Sequence, residues 1–131
     1  MPKIQRFEDL QAWQLADVID DLALSLKFAH DFYLRDQIRG AASSVMHNIA
    51  EGFDSGTDPE FMRFLKIARR SASEVQSELY LALDRKYINP NSLKIAYDLA
   101  TEAKRLINGM IAYLRKQSNS RTAGKPRKPA K

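Results

Sequence analysis

The chain contains no cysteine, a single tryptophan, five glycines and five prolines in 131 residues. Without cysteine there is no disulfide framework and no thiolate metal site, and nothing points to an oxidising compartment. No apolar run approaches the roughly 18 residues of a membrane span. Met1-Pro2-Lys3 is not followed by the apolar segment of a signal peptide, so no membrane association and a cytoplasmic location are expected. Nucleophile elbows, Walker loops and glycine fingerprints are missing as well. Gly52-Phe53-Asp54-Ser55-Gly56 lacks both the lysine and the preceding strand that a phosphate loop requires. Neither a strand pattern nor an internal repeat is visible. The expectation is a protein that is not an enzyme, with no catalytic residues, no cofactor and no small-molecule substrate.

Charge of one sign is unevenly placed. Between Phe7 and Leu114 there are 12 Lys and Arg against all 16 Asp and Glu, giving −4, while Lys3 and Arg6 add +2 and residues 115–131 add +7. The net +5 and the pI near 9.6 therefore belong to the ends of the chain, and whole-chain basicity is a poor argument for a nucleic-acid partner.

What is present is helical periodicity. In LRDQIRGAASSVMHNIAEG (residues 34–52), Leu34, Ile38, Ala41, Ala42, Val45, Ile49 and Gly52 form one apolar stripe. Helices are predicted over about 8–28, 32–52, 59–86 and 90–117, with Asp31, Asp58-Pro59 and Asn89-Pro90 as start signals and Gly52 as a left-handed stop. Ile88 can staple onto Leu93 across the last of these starts. The first helix is expected to bury Ala12, Leu15, Val18, Ile19, Leu22 and Leu26. One domain is expected, residues 1–117: an all-α, antiparallel up-down-up-down four-helix bundle. Residues 118–131 carry two prolines and no large apolar side chain, and read as a disordered basic tail.

Several polar sets stand out against this frame. Asn48 and Glu51 on the second helix and Ser71 and Glu74 on the third occupy equivalent places beside facing stripes, as a hydrogen-bonded network fixing register or, alternatively, a ligand site. Bundles can hold two metals through facing carboxylates and histidines. Glu51, Glu74, Glu78 and His47 do not match that pattern, because His47 points to the back of its helix and no Glu-x-x-His occurs. No metal site is expected. Arg63, Lys66 and Arg70 share the outer face of the third helix, either as a solvated row or as phosphate contacts. In the tail, Arg121, Lys125, Arg127, Lys128 and Lys131 are unaccompanied by acids and could lie along a phosphate backbone. Leu10, Trp13, Leu24 and Phe28 appear on the back of the first helix, away from its core stripe, and Gly40 and Ser43 put small side chains on the back of the second. Together these imply an interface between copies, unless Trp13 folds under the N-terminal segment.

The segments Gln37-Ile38-Arg39 and Asn48-Ile49-Ala50-Glu51-Gly52 resemble the signature of the bacterial four-helix-bundle proteins encoded in intervening sequences of 23S ribosomal RNA genes. Phe7-Glu8-Asp9-Leu10 with Trp13-Gln14 is similar to that family's opening motif, and Phe64-Leu65-Lys66-Ile67-Ala68 with Ser71, Glu74 and Leu79 to its third helix. Gly40 stands where an arginine is usual, and Met46-His47 replaces a Pro-Ser pair. The resemblance covers roughly residues 7–115 and implies a ring-like homopentamer. It also implies a distant relationship to the accessory variability determinant of diversity-generating retroelements, which binds a reverse transcriptase and RNA. The expectation is thus a self-associating scaffold or accessory protein with weak, sequence-tolerant RNA or ribonucleoprotein binding. The alternative is a pure protein-interaction module, for example a reverse-transcriptase accessory protein.

Overall fold

The computed structural model describes residues 6–25 and 31–120. Its helices are α1 (Gln11–Ser25), α2 (Phe32–Phe53), α3 (Asp58–Asp84) and α4 (Pro90–Ser120), preceded by a 3-10 turn over Phe7–Asp9. α1 packs on α2 and α4, and α3 packs on the same two, so the four stand at the corners of a square. The described residues form no strand, and no helix among them is long and apolar enough to cross a membrane. The fold is the expected all-α bundle.

Local chemistry sets the helix ends. Asp31 Oδ1 accepts a hydrogen bond from Leu34 N at 3.1 Å and caps α2. Asn89 Oδ1 accepts from Ser92 N at 2.8 Å at the start of α4. In α3 the cap is Thr57, whose hydroxyl accepts from Glu60 N at 3.3 Å, and Asp58, predicted as the cap, is instead the first helical residue and buried. α3 stops in a Schellman arrangement: Tyr87 N donates to Ala82 O and Lys86 N to Leu83 O, each at 2.9 Å, with Lys86 at a left-handed φ of 63°.

Three other boundaries depart from expectation. α1 begins at Gln11 and not near Glu8, because the 3-10 turn intervenes. α4 continues through residues 118–120, which were assigned to the tail; residues 121–131 lie outside the described residues. Gly52 is helical and is not a left-handed stop. A Cβ there would come within 2.8 Å of both Phe61 Cδ1 and Phe64 Cβ, so the glycine is required by the close approach of α3.

The core divides into two clusters along the bundle. One joins Ile19, Ala23, Leu34, Ile38, Val75, Leu79 and Ala96 at the end where α4 begins. The other joins Ala12, Ala16, Val45, Ile49, Leu65, Ala72, Ile107 and Leu114 at the opposite end. α1 contributes alanines to its innermost positions: Ala12, Ala16 and Ala23 are buried with Ile19, Leu15 and Leu22 are half-buried, and Val18 is 44% exposed. The predicted α1 stripe is therefore rotated, since the smaller side chains let α1 sit closer to its neighbours. Ile88 is buried in the first cluster with Leu93 packed against it, as the staple requires.

Candidate functional site

Two polar seams run between the helices near mid-bundle. Across α2 and α3, Ser44 Oγ and Ser71 Oγ are 2.8 Å apart, and Asn48 Nδ2 donates to Ser44 O at 2.8 Å and Ser44 Oγ at 3.1 Å. Across α3 and α4, buried Gln76 donates through Nε2 to Thr101 Oγ1 (2.8 Å) and Tyr97 O (3.3 Å). Its Oε1 accepts from Lys104 Nζ at 3.0 Å. Each bond satisfies a group that would otherwise be costly to bury, and each ties one residue to one register.

Of the predicted row, the structure joins Ser71 and Asn48 through Ser44. Glu51 and Glu74 are corrected out of it, since both are exposed; Glu51 faces His47 across one turn at 3.6 Å. Three residues on from Asn48 and Ser71, they stand about 60° further round their helices, on the side of water. Glu78, one turn beyond Glu74, is half-buried, and its Oε2 has no hydrogen-bond partner among the described residues. Burial pushes its carboxyl above the usual range, and the Glu74 carboxylate pushes the same way. Among the described residues no group of three or more His, Cys, Asp and Glu converges where a metal could be held.

A third polar knot closes one end. Asp31 accepts from Arg85 Nη1 at 2.7 Å and from Tyr87 Oη at 3.1 Å, tying the start of α2 to the α3–α4 turn. The Leu34 N–H holds the Asp31 carboxyl below its ordinary value, with Arg85 and Tyr87 adding to it against the effect of burial.

The basic set on α3 is exposed but not uniform. Arg63 lies bidentate on Glu60, at 3.1 Å through both Nε and Nη2, and over the Phe64 ring at 4.4 Å. Lys66 and Arg70 have no ion-pair partner among the described residues. Arg69, between them, donates to Asn108 Oδ1 of α4 at 2.7 Å. The tail residues Arg121, Lys125, Arg127, Lys128 and Lys131 lie outside the described residues.

The family model described as 23S rRNA-intervening sequence protein matches residues 8–109, from the opening turn into the second half of α4. The chain belongs to this family. The structure is also similar to the 1.70 Å crystal structure of a protein with unknown function from the S23 ribosomal protein family of Bacteroides thetaiotaomicron. The TM-score is 0.69 and the identity 24%, over 77% of this chain and 94% of that one, which speaks for a shared fold. No curated protein matches the chain.

In this member of the family the opening motif has an intramolecular task. Leu10 was predicted on an exposed back stripe; it is buried in the core cluster, because it precedes α1 and the 3-10 turn folds it inward. Trp13 is half-buried, meeting the Phe7 ring edge-on at a centroid distance of 5.9 Å, while Gln14 Nε2 donates to Glu8 O at 3.0 Å. Both residues are thereby corrected as free interface anchors: the N-terminal segment covers them. The Leu24 side chain and Phe28 lie outside the described residues. Gly40 and Ser43 are exposed, and nothing lies within 4 Å of a Cβ built on Gly40. Tyr33, 74% exposed, stands two turns before Gly40 on the same side of α2.

Sequence reasoning missed Gln76. Its signal was present: Gln76 sits on the α4-facing flank of the α3 stripe as Ser71 sits on the α2-facing flank, and Thr101 and Lys104 are spaced to meet it.

Proposed function

We propose that this family member is a non-enzymatic, self-associating scaffold or accessory protein that binds RNA weakly and without sequence preference. The observation that carries the reading is the pair Lys66 and Arg70, exposed on α3 with no ion-pair partner among the described residues, at the end of the bundle where α4 leads into the basic residues 121–131. Such charges suit phosphates and cannot by themselves read bases. Arg63 contributes less, being held by Glu60. Self-association rests on the uncovered back of α2 at Tyr33, Gly40 and Ser43, where a second backbone can approach. A heterologous contact there closes into a ring, and a homopentamer is the form proposed.

Light scattering on the purified chain, alone and with a structured RNA at low salt, tests both halves. The expected result is a multimer mass that rises further with RNA and falls back as salt is added. A monomer mass at high micromolar concentration removes the scaffold reading, and no RNA-dependent change at low salt removes the binding reading.

A further inference from the structure

The net charge of the body conceals two halves of opposite sign. Residues 6–54, which hold α1 and α2, carry 4 Lys and Arg against 9 Asp and Glu, a net −5. Residues 55–120, which hold α3 and α4, carry 11 against 7, a net +4. Within the second half the separation sharpens again. Residues 61–73 of α3 contain Arg63, Lys66, Arg69 and Arg70 and no acid; residues 103–120 of α4 contain Lys104, Arg105, Arg115 and Lys116 and no acid.

The fold lays these two acid-free stretches side by side. Phe61, Leu65, Ala68 and Ala72 share a core cluster with Ile107, Ile111 and Leu114, and Arg69 reaches Asn108 across the seam. Glu60 and Glu102 border the stretches and are occupied by their own arginines, Arg63 and Arg105; the third bordering acid, exposed Glu74, lies one turn beyond Arg70 and offsets part of its charge. Lys66, Arg69, Arg70, Lys104, Arg115 and Lys116 are left with no ion-pair partner among the described residues. Arg115 lies two turns beyond Asn108 on the same side of α4, and Lys66 lies about one turn before Arg69 on α3. Lys66, Arg69, Lys104 and Arg115 therefore border the seam over some 16 Å at about 1.5 Å per residue of α4, while Arg70 and Lys116 stand about 100° further round on the adjoining outer faces.

We propose that the α3–α4 seam and the outer faces beside it form a phosphate-backbone face for RNA, with Lys66, Arg70, Arg115 and Lys116 as its exposed contacts and Arg69 and Lys104 held in place by Asn108 and Gln76. This rests on the RNA-binding reading above and assigns it a surface on the folded domain, separate from residues 121–131. An anionic membrane fits the same charge less well. Exposed large apolar side chains are needed for an interfacial helix to enter lipid, and of those in the described residues only Tyr113 lies near this end, on the α1-facing flank of α4.

The test uses fluorescence anisotropy of a fluorescein-labelled oligouridine against the full chain over a salt series. The triple variant Lys66→Gln, Arg70→Gln, Arg115→Gln is compared with Lys86→Gln, Lys94→Gln, which removes charge from the other end of the bundle. With a single strand each lost contact lowers the log-affinity against log-salt slope by about 0.7, so the triple variant should lose about 2 and the double variant almost nothing. Circular dichroism confirms folding, as the substituted positions are exposed. An unchanged slope in the triple variant, or equal losses in the two, overturns the seam while leaving RNA binding standing. No binding by the full chain at low salt overturns RNA binding itself. Retention on phosphatidylserine vesicles without oligouridine binding overturns the choice of nucleic acid.

Discussion

Glu78 shows how one side chain can be set against the fold that holds it. Its carboxyl is pushed above 4.5 by burial and then by Glu74, with one oxygen unbonded among the described residues. A carboxyl whose folded pKa exceeds its unfolded value weakens the native state at neutral pH, and the penalty fades as pH falls through the folded pKa towards 4.5. Glu78→Gln should therefore be more stable than the parent at pH 7, with the difference in thermal midpoint shrinking as the pH approaches 4.5. A pH-independent difference would rule this origin out. Asp31 acts with the opposite sign and in a lower window, because its lowered pKa makes the loss of its bonds begin below 3.8. At this scale the sequence was half legible. Ser71 and Asn48 lie at the edge of their stripes and stay in the seam; Glu51 and Glu74, three residues on, stand about 60° further round towards solvent, an offset that grouping them as one row passes over.

Helix existence and order were fully legible, because stripes of 3.6-residue period and Asp31, Pro59 and Asn89-Pro90 leave little choice. Helix ends were less so. Thr57 and Asp58 are both good caps, and burial of the Asp58 side chain decided for Thr57; Gly52 reads as a terminator until Phe61 and Phe64 are seen against it. The rotation of α1 was hidden too, since periodicity weights Leu15 and Leu22 above Ala16 and Ala23, while close packing prefers the alanines. The turn after α3 leaves a local misfit. Lys86 holds a left-handed φ that costs a residue with a Cβ about 1 kcal/mol relative to glycine. Lys86→Gly should raise stability in urea unfolding by up to about 1 kcal/mol with no change in the denaturant slope. A loss of stability would mean that the lysine side chain contributes something its backbone strain conceals.

For the whole molecule, the charge asymmetry was written in the sequence and lost by summation. Over residues 6–120 the total is only −1, the −5 of the α1–α2 half nearly cancelling the +4 of the α3–α4 half, and only the pairing of helices shows that the acid-free stretches of α3 and α4 adjoin. The back of α1 was misjudged for a related reason: Leu10 was counted as helical, whereas the chain turns there and covers itself.

The square of helices also dictates an order of events in time. Three of its sides join consecutive helices, so their contacts close over short loops, but the α1–α4 side joins residues such as Leu15 and Leu106, separated by most of the chain. It is also a side with a groove: Gln11, Gln14, Leu15 and Val18 face Glu102 and Leu106 across about 330 Å³ of open space. Closing that side costs the most chain entropy and returns little buried surface there. α1 should thus dock last and detach first. Its amides are expected to exchange with deuterium by a sub-global opening, well before those of α2 and α3 at Ile38, Ile49, Leu65 and Val75, and uniform protection across all four helices would show that the square opens only as a whole.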